Sequence, residues 1–558
     1  MKKMFIAAMT ALALVTVSCG NHPESPVAVC ENGRFIGAVE DNGVIVFRGI
    51  PYAKAPVGDL RWKAPQPVDP SGETFDATEF GKVPLQNYDE SEYASHDKDK
   101  MGEDCLNLNI WTADLKTEGK PVMAWIHGGS FGWGGIVDPI YTGKYLAEAY
   151  PDIVVVTIEY RLNAMGFIDL SVVPGGEAFP DSRNLGIMDQ QEALRWIQRN
   201  IKAFGGDPGN VTIFGESAGG GSVSTHLVAK GSEGLFRRAI AMSGELALGR
   251  STREYGVTGQ TEKLMAATGC TDMDGLMALT DRQILEALEK DCGGKSFEGY
   301  LSNVGSFNNM PYRDDSLSII PTDGYKAILE GASKDVDVMI GTVADELRYW
   351  AHLQYEPENQ EAGPLGNYYQ WIQDRVGEVK AIVPEDAEKI DRAVAASDPD
   401  SDGMDARYPG IWKYTTVAND FVFRLGSVLI ADNHAAAGGT GRTYMYYFGK
   451  GYPEGTYPGQ PWMKACHACE LTYVFNNLEY EDGGQFDPVL TRQISNAFVN
   501  FARTGNPGIE DCGWPEYDLQ TRKTFMVGTD GGLSVEDYPF GGRTELILPA
   551  FYKSFLRR

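Results

Sequence analysis

The stretch Val211-Thr-Ile-Phe-Gly-Glu-Ser-Ala-Gly-Gly-Gly-Ser-Val223 decides the fold, because it contains Gly215-x-Ser217-x-Gly219. Alone, that pattern is weak, since short glycine–serine motifs arise often by chance. Its surroundings give it weight. Val211 to Phe214 is a β-branched and aromatic run, as expected of a strand buried on both faces. The small residues from Ala218 onward open a helix. Strand, tight turn and helix together make the setting of a nucleophile elbow. Such a turn leaves no room for side chains at its flanks, hence Gly215 and Gly219. Ser217 is then presented above a sheet edge at a helix N-terminus, where developing negative charge is favoured.

The same alternation extends outward along the chain. Val122 to Ile126, Ile153 to Tyr160, Val338 to Gly341 and Tyr444 to Phe448 also read as buried strands. Between them Ala193, Leu194, Ile197 and Ile201 recur at helical spacing over Asp189 to Phe204. This order predicts a mostly parallel sheet with helices on both faces, an α/β fold. Gly249 to Ser333 and Leu347 to Tyr408 read as helical insertions, a cap on one large domain. Residues 20 to 34 read as a tether, and the folded domain is expected over residues 35–558.

A serine hydroxyl needs a base to become nucleophilic. On an elbow of this kind the partners follow in the chain order serine, acid, histidine. Of seven histidines, His352, His434 and His467 lie far downstream, and the first two fall on helical segments. His467 lies in a loop after a strand and before a helix, so position favours it. For the acid, Asp345 and Glu346 both follow the strand Val338 to Gly341, at the end where active-site groups of open α/β sheets gather. The acid must orient the imidazole and stabilise its protonated form. An oxyanion site needs converging backbone N–H groups. The glycine loop His127-Gly-Gly-Ser-Phe131 after the strand at 122–126 can supply them, and the Ala218 N–H supplies another.

Composition excludes other classes. With 43% hydrophobic and 23% charged residues the chain is an ordinary globular protein. Its formal net charge of −28 repels phosphate backbones and disfavours nucleic acid as a partner. Lys2 and Lys3 precede a short apolar run, Met4 to Val17, which reads as a secretory signal over residues 1–19. Thr16-Val17-Ser18-Cys19 resembles a bacterial lipobox, with Thr16 where Leu is usual. Cys19 is therefore the expected lipidation site, and the protein is expected in the bacterial cell envelope, or periplasmic or secreted. A lipid at the N-terminus would be its one link to a membrane. Export permits disulfides among the eight cysteines. Cys270 with Cys292 is the first expectation, while Cys466 and Cys469, which bracket His467, read either as two small buried thiols or as a bridge locking the histidine loop. The acidic loop 398–403 lacks the glutamate that an EF-hand needs at position twelve, so it reads as solvated.

Longer stretches carry a resemblance. Arg48 to Trp62, Glu103 to Trp111, Asn184 to Asp207, Phe214 to Gly220, Gly341 to Glu346, His467 to Phe475 and Asn500 to Pro507 occur in order over most of the chain. In these the sequence resembles the type-B carboxylesterases, which include cholinesterases, para-nitrobenzyl esterases and the non-catalytic neuroligins. The resemblance implies an α/β-hydrolase fold and a triad of Ser217, Glu346 and His467, so that Glu346 is chosen over Asp345. It implies oxyanion donors at Gly129, Ser130 and Ala218, and structural ion pairs Arg61–Glu103 and Arg161–Asp189. No metal or cofactor is implied. The chain also departs from the family. The usual cysteine partner of Cys105 is missing from Val83-Pro-Leu-Gln86, which leaves Cys105 free or paired with Cys30. Leu347 follows Glu346 where Gly is common. Ser95 and His96 stand where cholinesterases carry a tryptophan for quaternary ammonium, so choline esters are not favoured.

The implied activity is hydrolysis of neutral small to medium carboxylic esters through an acyl-enzyme. An amidase or acyltransferase would use the same three side chains. An adhesion-type relative would lack one of them, and all three are present.

Overall fold

The computed structural model describes residues 25–86, 98–248, 257–291, 311–397, 406–453, 460, 462–479, 486–510 and 512–557. The signal segment with Cys19, His96, Cys292 and the acidic loop 398–403 lie outside the described residues.

Among the described residues, fourteen strands form two sheets. They are β1 (Val27–Cys30), β2 (Gly33–Ile36), β3 (Ala38–Val39), β4 (Ile45–Pro51), β5 (Thr74–Asp76), β6 (Asn107–Thr112), β7 (Lys120–Ile126), β8 (Val154–Ile158), β9 (Gly206–Glu216), β10 (Arg238–Met242), β11 (Asp337–Val343), β12 (Thr443–Phe448), β13 (Thr524–Val527) and β14 (Leu533–Glu536). The large sheet runs β14-β13-β12-β11-β10-β9-β7-β8-β6-β4-β3. From β8 through β13 every pairing is parallel. Both margins are antiparallel: β14 on one side, and β6, β4 and β3 on the other. The mostly parallel sheet is the α/β architecture that the alternation predicted, in the α/β-hydrolase form that the resemblance implied.

The central strands are covered on both faces. Every residue of β8, β10 and β11 is buried, which is why β8 and β11 read as continuous apolar runs rather than alternating ones. The helix expected from Asp189 begins earlier, at Leu185, and runs to Asn200 before a 3-10 turn over Ile201–Phe204. Its Ala193, Leu194, Ile197 and Ile201 are fully buried. Both insertions carry helices among the described residues, with Val257–Thr268, Met273–Met277, Asp281–Asp291 and Gly324–Leu329 in one, and Arg348–Leu353, Gly366–Ile382 and Ala387–Ala396 in the other. No helix of the described residues is long and apolar enough to cross a membrane.

The tether reading is corrected. Residues 27–36 form an antiparallel hairpin, pairing Val27 with Ile36 and Cys30 with Gly33. Ala28 and Phe35 are buried in the main core, so the folded part begins ahead of residue 35. The bridges are corrected too, and the alternatives with free thiols hold. Cys466 and Cys469 are free buried thiols, Cys30 and Cys105 are free rather than bonded to each other, and Cys270 is free. Burial pushes the Cys30 thiol up to about 12, and the same cause holds Cys105, Cys466 and Cys469 well above the usual thiol range. These thiols behave as small hydrophobes.

Both implied ion pairs are formed. Arg61 Nε donates to Glu103 Oε1 at 2.6 Å. Arg161 grips Asp189 with two bonds, Nε to Oδ2 at 2.8 Å and Nη2 to Oδ1 at 2.6 Å. Each holds remote segments together from within the core, and neither touches the residues described next.

Candidate active site

The C-terminal ends of the parallel strands carry the chemistry. At β7 the sheet reverses its winding, since β8 lies on one side and β9 on the other. Open α/β sheets bind ligands at such a switch point. The loop after β7 holds His127 to Phe131, and the turn after β9 holds Ser217. The loop after β11 holds Asp345 and Glu346. The connection after β12 leads to His467.

Ser217 sits at φ 58°, ψ −123°, a conformation that L-residues rarely adopt. Its N–H donates to Met242 O at 3.0 Å, which ties the turn to β10. The helix Ala218–His226 begins at once behind it. The flanking glycines are there for space. A Cβ at Gly219 would lie 2.0 Å from Ile126 O, and one at Gly215 would lie 2.6 Å from the Gly219 backbone. Ser217 is half-buried while its neighbours on both sides are buried.

His467 is 5% exposed and Glu346 is 1% exposed. The imidazole Nδ1 meets Glu346 Oε2 at 2.6 Å. The other carboxylate oxygen of Glu346 accepts from Ser243 Oγ at 2.7 Å and from the Val343 N–H at 3.0 Å. Three contacts therefore fix this carboxylate. Asp345 turns away, and its carboxylate pairs with Arg348 Nε at 2.9 Å. The choice left open by position is resolved by geometry, with Glu346 as the residue on the histidine. His352 bonds Gln460, and His434 is held by Thr443 and Ser333, so neither joins this cluster.

The second imidazole nitrogen, Nε2, lies 3.1 Å from Glu216 Oε1, in a geometry that makes no hydrogen bond. Nor is the bond between Nε2 and the Ser217 hydroxyl made in this structure. Such contacts are often long in resting enzymes and tighten only with substrate. Burial and the charge of Glu346 push the Glu216 carboxyl well above the usual range. Burial, Glu216 and Glu346 do the same to Glu470. Both shifts lean toward the neutral carboxyl beside the imidazole. The motif reading missed them. Glu216 occupies a variable position of the motif already quoted, but its direction could not be known before the fold.

The glycine loop faces the same place. A Cβ at Gly128 would lie 3.1 Å from Ser217 Cβ, so this loop packs directly on the nucleophile turn. Gly129 adopts φ 106°, Ser130 φ 53° and Phe131 φ 58°. At Gly129 a side chain would strike Trp133 O at 2.0 Å. The Gly129 and Ser130 N–H groups donate to no backbone or side-chain acceptor among the described residues. The Ala218 N–H lies in the first turn of its helix, where amides have no intrahelical partner. His127 anchors the loop from below, through Nδ1 to Gly128 O at 2.7 Å and Nε2 to Glu159 Oε1 at 3.0 Å. Aromatic rings wall the other side. Phe423, Trp350 and Tyr349 lie 4.8, 5.1 and 6.3 Å from the His467 ring. Phe423 projects from a single π-helical turn, Asp420–Arg424.

Known proteins are similar to this one over nearly the full chain. The pattern of the Carboxylesterase family matches residues 24–540. The para-nitrobenzyl esterase of Bacillus subtilis (strain 168) is 32% identical over 542 residues, spanning 94% of this chain and 99% of that protein. Acetylcholinesterase of Bungarus fasciatus is 30% identical over 511 residues, covering 88% and 80%. Among solved structures, a Geobacillus stearothermophilus carboxylesterase superposes with a TM-score of 0.76 at 32% identity, covering 93% of this chain and 99% of that one. A catalytic fold, a strained serine and a carboxylate-held histidine thus accompany family-level identity along the chain, and the protein belongs to the carboxylesterase family of serine carboxylic-ester hydrolases.

Proposed function

We propose that Ser217, His467 and Glu346 carry ester hydrolysis in this chain, with the Gly129, Ser130 and Ala218 amides as the oxyanion site. The carrying observation is the 2.6 Å bond between His467 and a Glu346 carboxylate fixed by two further donors. Ser217 Oγ attacks the ester carbonyl carbon while its proton passes to His467 Nε2. The carbonyl oxygen takes up negative charge and is met by the three N–H groups. His467 returns the proton to the departing alcohol, which leaves an acyl-enzyme. Water then attacks, giving its proton to His467, and the acid departs as the proton returns to Ser217. Glu346 holds the imidazole in the Nδ1–H tautomer and stabilises the imidazolium.

Neutral small to medium esters suit this site best. The net charge of −28 opposes anionic substrates, and the aromatic wall of Phe423, Trp350 and Tyr349 offers apolar contact. Export, with Cys19 as a lipidated N-terminus, belongs to the same proposal and rests on the reading of residues 1–19. The test is Ser217→Ala with a simple aryl ester. A loss in kcat of about 10⁴–10⁶-fold with the fold intact is expected, and an unchanged rate would refute the assignment.

A further inference from the structure

The histidine loop has no regular structure of its own to hold it. From Trp462 to Glu470 the backbone makes turns and bends, and Lys464 and Ala468 on either side of His467 sit at φ 48° and 67°. Residues other than glycine keep such conformations only where their surroundings over-determine them. Part of those surroundings is one short segment, the residues just after β11.

Three contacts zip the two segments together. Asp345 N–H donates to Ala465 O at 2.8 Å, and His467 N–H donates to Glu346 O at 3.2 Å. Next along is Arg348, a guanidinium only 4% exposed. Its Nη1 donates to Trp462 O at 2.5 Å, and its Nε lies 2.9 Å from Asp345 Oδ1. Its planar head stacks on Trp412 at 4.0 Å, and Trp412 stacks in turn on Trp462 at 5.9 Å. One helical turn later, His352 Nδ1 reaches Gln460 Oε1 at 3.0 Å.

We propose that Arg348 is a positioning residue: a buried latch that ties the loop bearing Glu346 to the loop bearing His467 and so sets the imidazole over Ser217. A planar fork suits this task. It donates to a carbonyl on one loop and pairs by charge with a carboxylate on the other while its face rests on an aromatic ring, which a lysine ammonium cannot do at once. Arg348 touches neither substrate nor reacting atoms, so its effect is on geometry alone. This rests on the assignment of His467 and Glu346 given above.

The test compares Arg348→Met, Arg348→Lys and Ser217→Ala in the full chain, with kcat and KM for p-nitrophenyl butyrate from pH 5 to 9. Circular dichroism and the thermal midpoint report the fold. Misplacing a reacting group by about 1 Å costs roughly 100-fold, so Arg348→Met is expected to lower kcat about 10- to 100-fold with KM within about threefold. Arg348→Lys, which keeps the charge and one donor, is expected to recover part of that loss. A folded Arg348→Met enzyme with wild-type kcat, or one whose loss lies wholly in KM, overturns the latch. Where Arg348→Met does not fold, Arg348→Lys decides: a lowered kcat at unchanged KM supports the latch, and wild-type kcat overturns it. An active Ser217→Ala enzyme would instead bring down the underlying assignment.

Discussion

Glu346→Gln separates orientation of the histidine from mere occupancy of the site. In the wild type, Oε1 accepts two hydrogen bonds, from Ser243 Oγ and the Val343 N–H, and Oε2 faces His467 Nδ1. A glutamine has one oxygen and one NH₂. The two fixed donors claim the oxygen, so the NH₂ faces Nδ1. That nitrogen must then become an acceptor, and the ring proton moves to Nε2, the atom proposed to take the Ser217 proton. The volume is unchanged, so the fold should survive. Loss of the working tautomer and of the counter-charge to imidazolium is expected to lower kcat by about 10³–10⁴-fold, which is roughly 4–5.5 kcal/mol at about 1.4 kcal/mol per decade. The assay is steady-state hydrolysis of p-nitrophenyl acetate at pH 8, with Asp345→Asn beside it. Asp345 pairs by charge with Arg348 rather than touching the imidazole, so the loss in Asp345→Asn should stay below about tenfold. A Glu346→Gln enzyme within tenfold of wild type, or an Asp345→Asn enzyme that is the worse of the two, would refute the reasoning.

Further outcomes follow from other sites. Asp189→Asn leaves Arg161 buried with its charge half-answered, and urea unfolding should show a loss of about 3–5 kcal/mol with an unchanged m-value. Burial lowers the His226 imidazole from 6.5 to about 3. Its neutral form is favoured in the fold, so its contribution is whole above pH 6.5 and is lost as pH falls toward 3. The loss amounts to roughly 4–5 kcal/mol at most, and thermal midpoints of wild type and His226→Gln between pH 7 and 4 should converge. Gly219→Ala drives a Cβ to 2.0 Å from Ile126 O and should abolish activity or folding, visible in expression and esterase assays. Mass spectrometry of the protein from a bacterial membrane fraction should find a diacylglyceryl group on Cys19. A mature N-terminus elsewhere would reject the lipoprotein reading.

What the sequence could disclose depended on how local its cause was. The elbow was legible because steric exclusion acts within five residues, from Gly215 to Gly219. The strands of the parallel centre were legible because burial on both faces leaves a continuous apolar run. The strand Asn107–Thr112 gave no such run, since its Asn107 and Asn109 are buried polar residues satisfied by remote partners such as Thr157. The hairpin at residues 27–36 was read as tether because its four-residue strands alternate exposed and buried positions. Choosing between Asp345 and Glu346 required the family resemblance, as adjacent carboxylates differ only in where the turn points them. Glu216, Glu470, Ser243 and Arg348 were invisible for a similar reason: their roles come from segments more than 100 residues apart that meet only in the fold. The cysteines flanking His467 suggested a bridge by proximity in sequence, whereas the fold buries both as separate thiols.

Covalent labelling asks whether Ser217 is the activated nucleophile. The purified protein is treated with a fluorophosphonate, and the modified peptide is located by mass spectrometry. One label per chain is expected, on Ser217, with activity lost in proportion and labelling abolished in His467→Ala. Full activity in an unlabelled protein, or a stoichiometric label on another residue that accounts for the loss, would contradict the assignment.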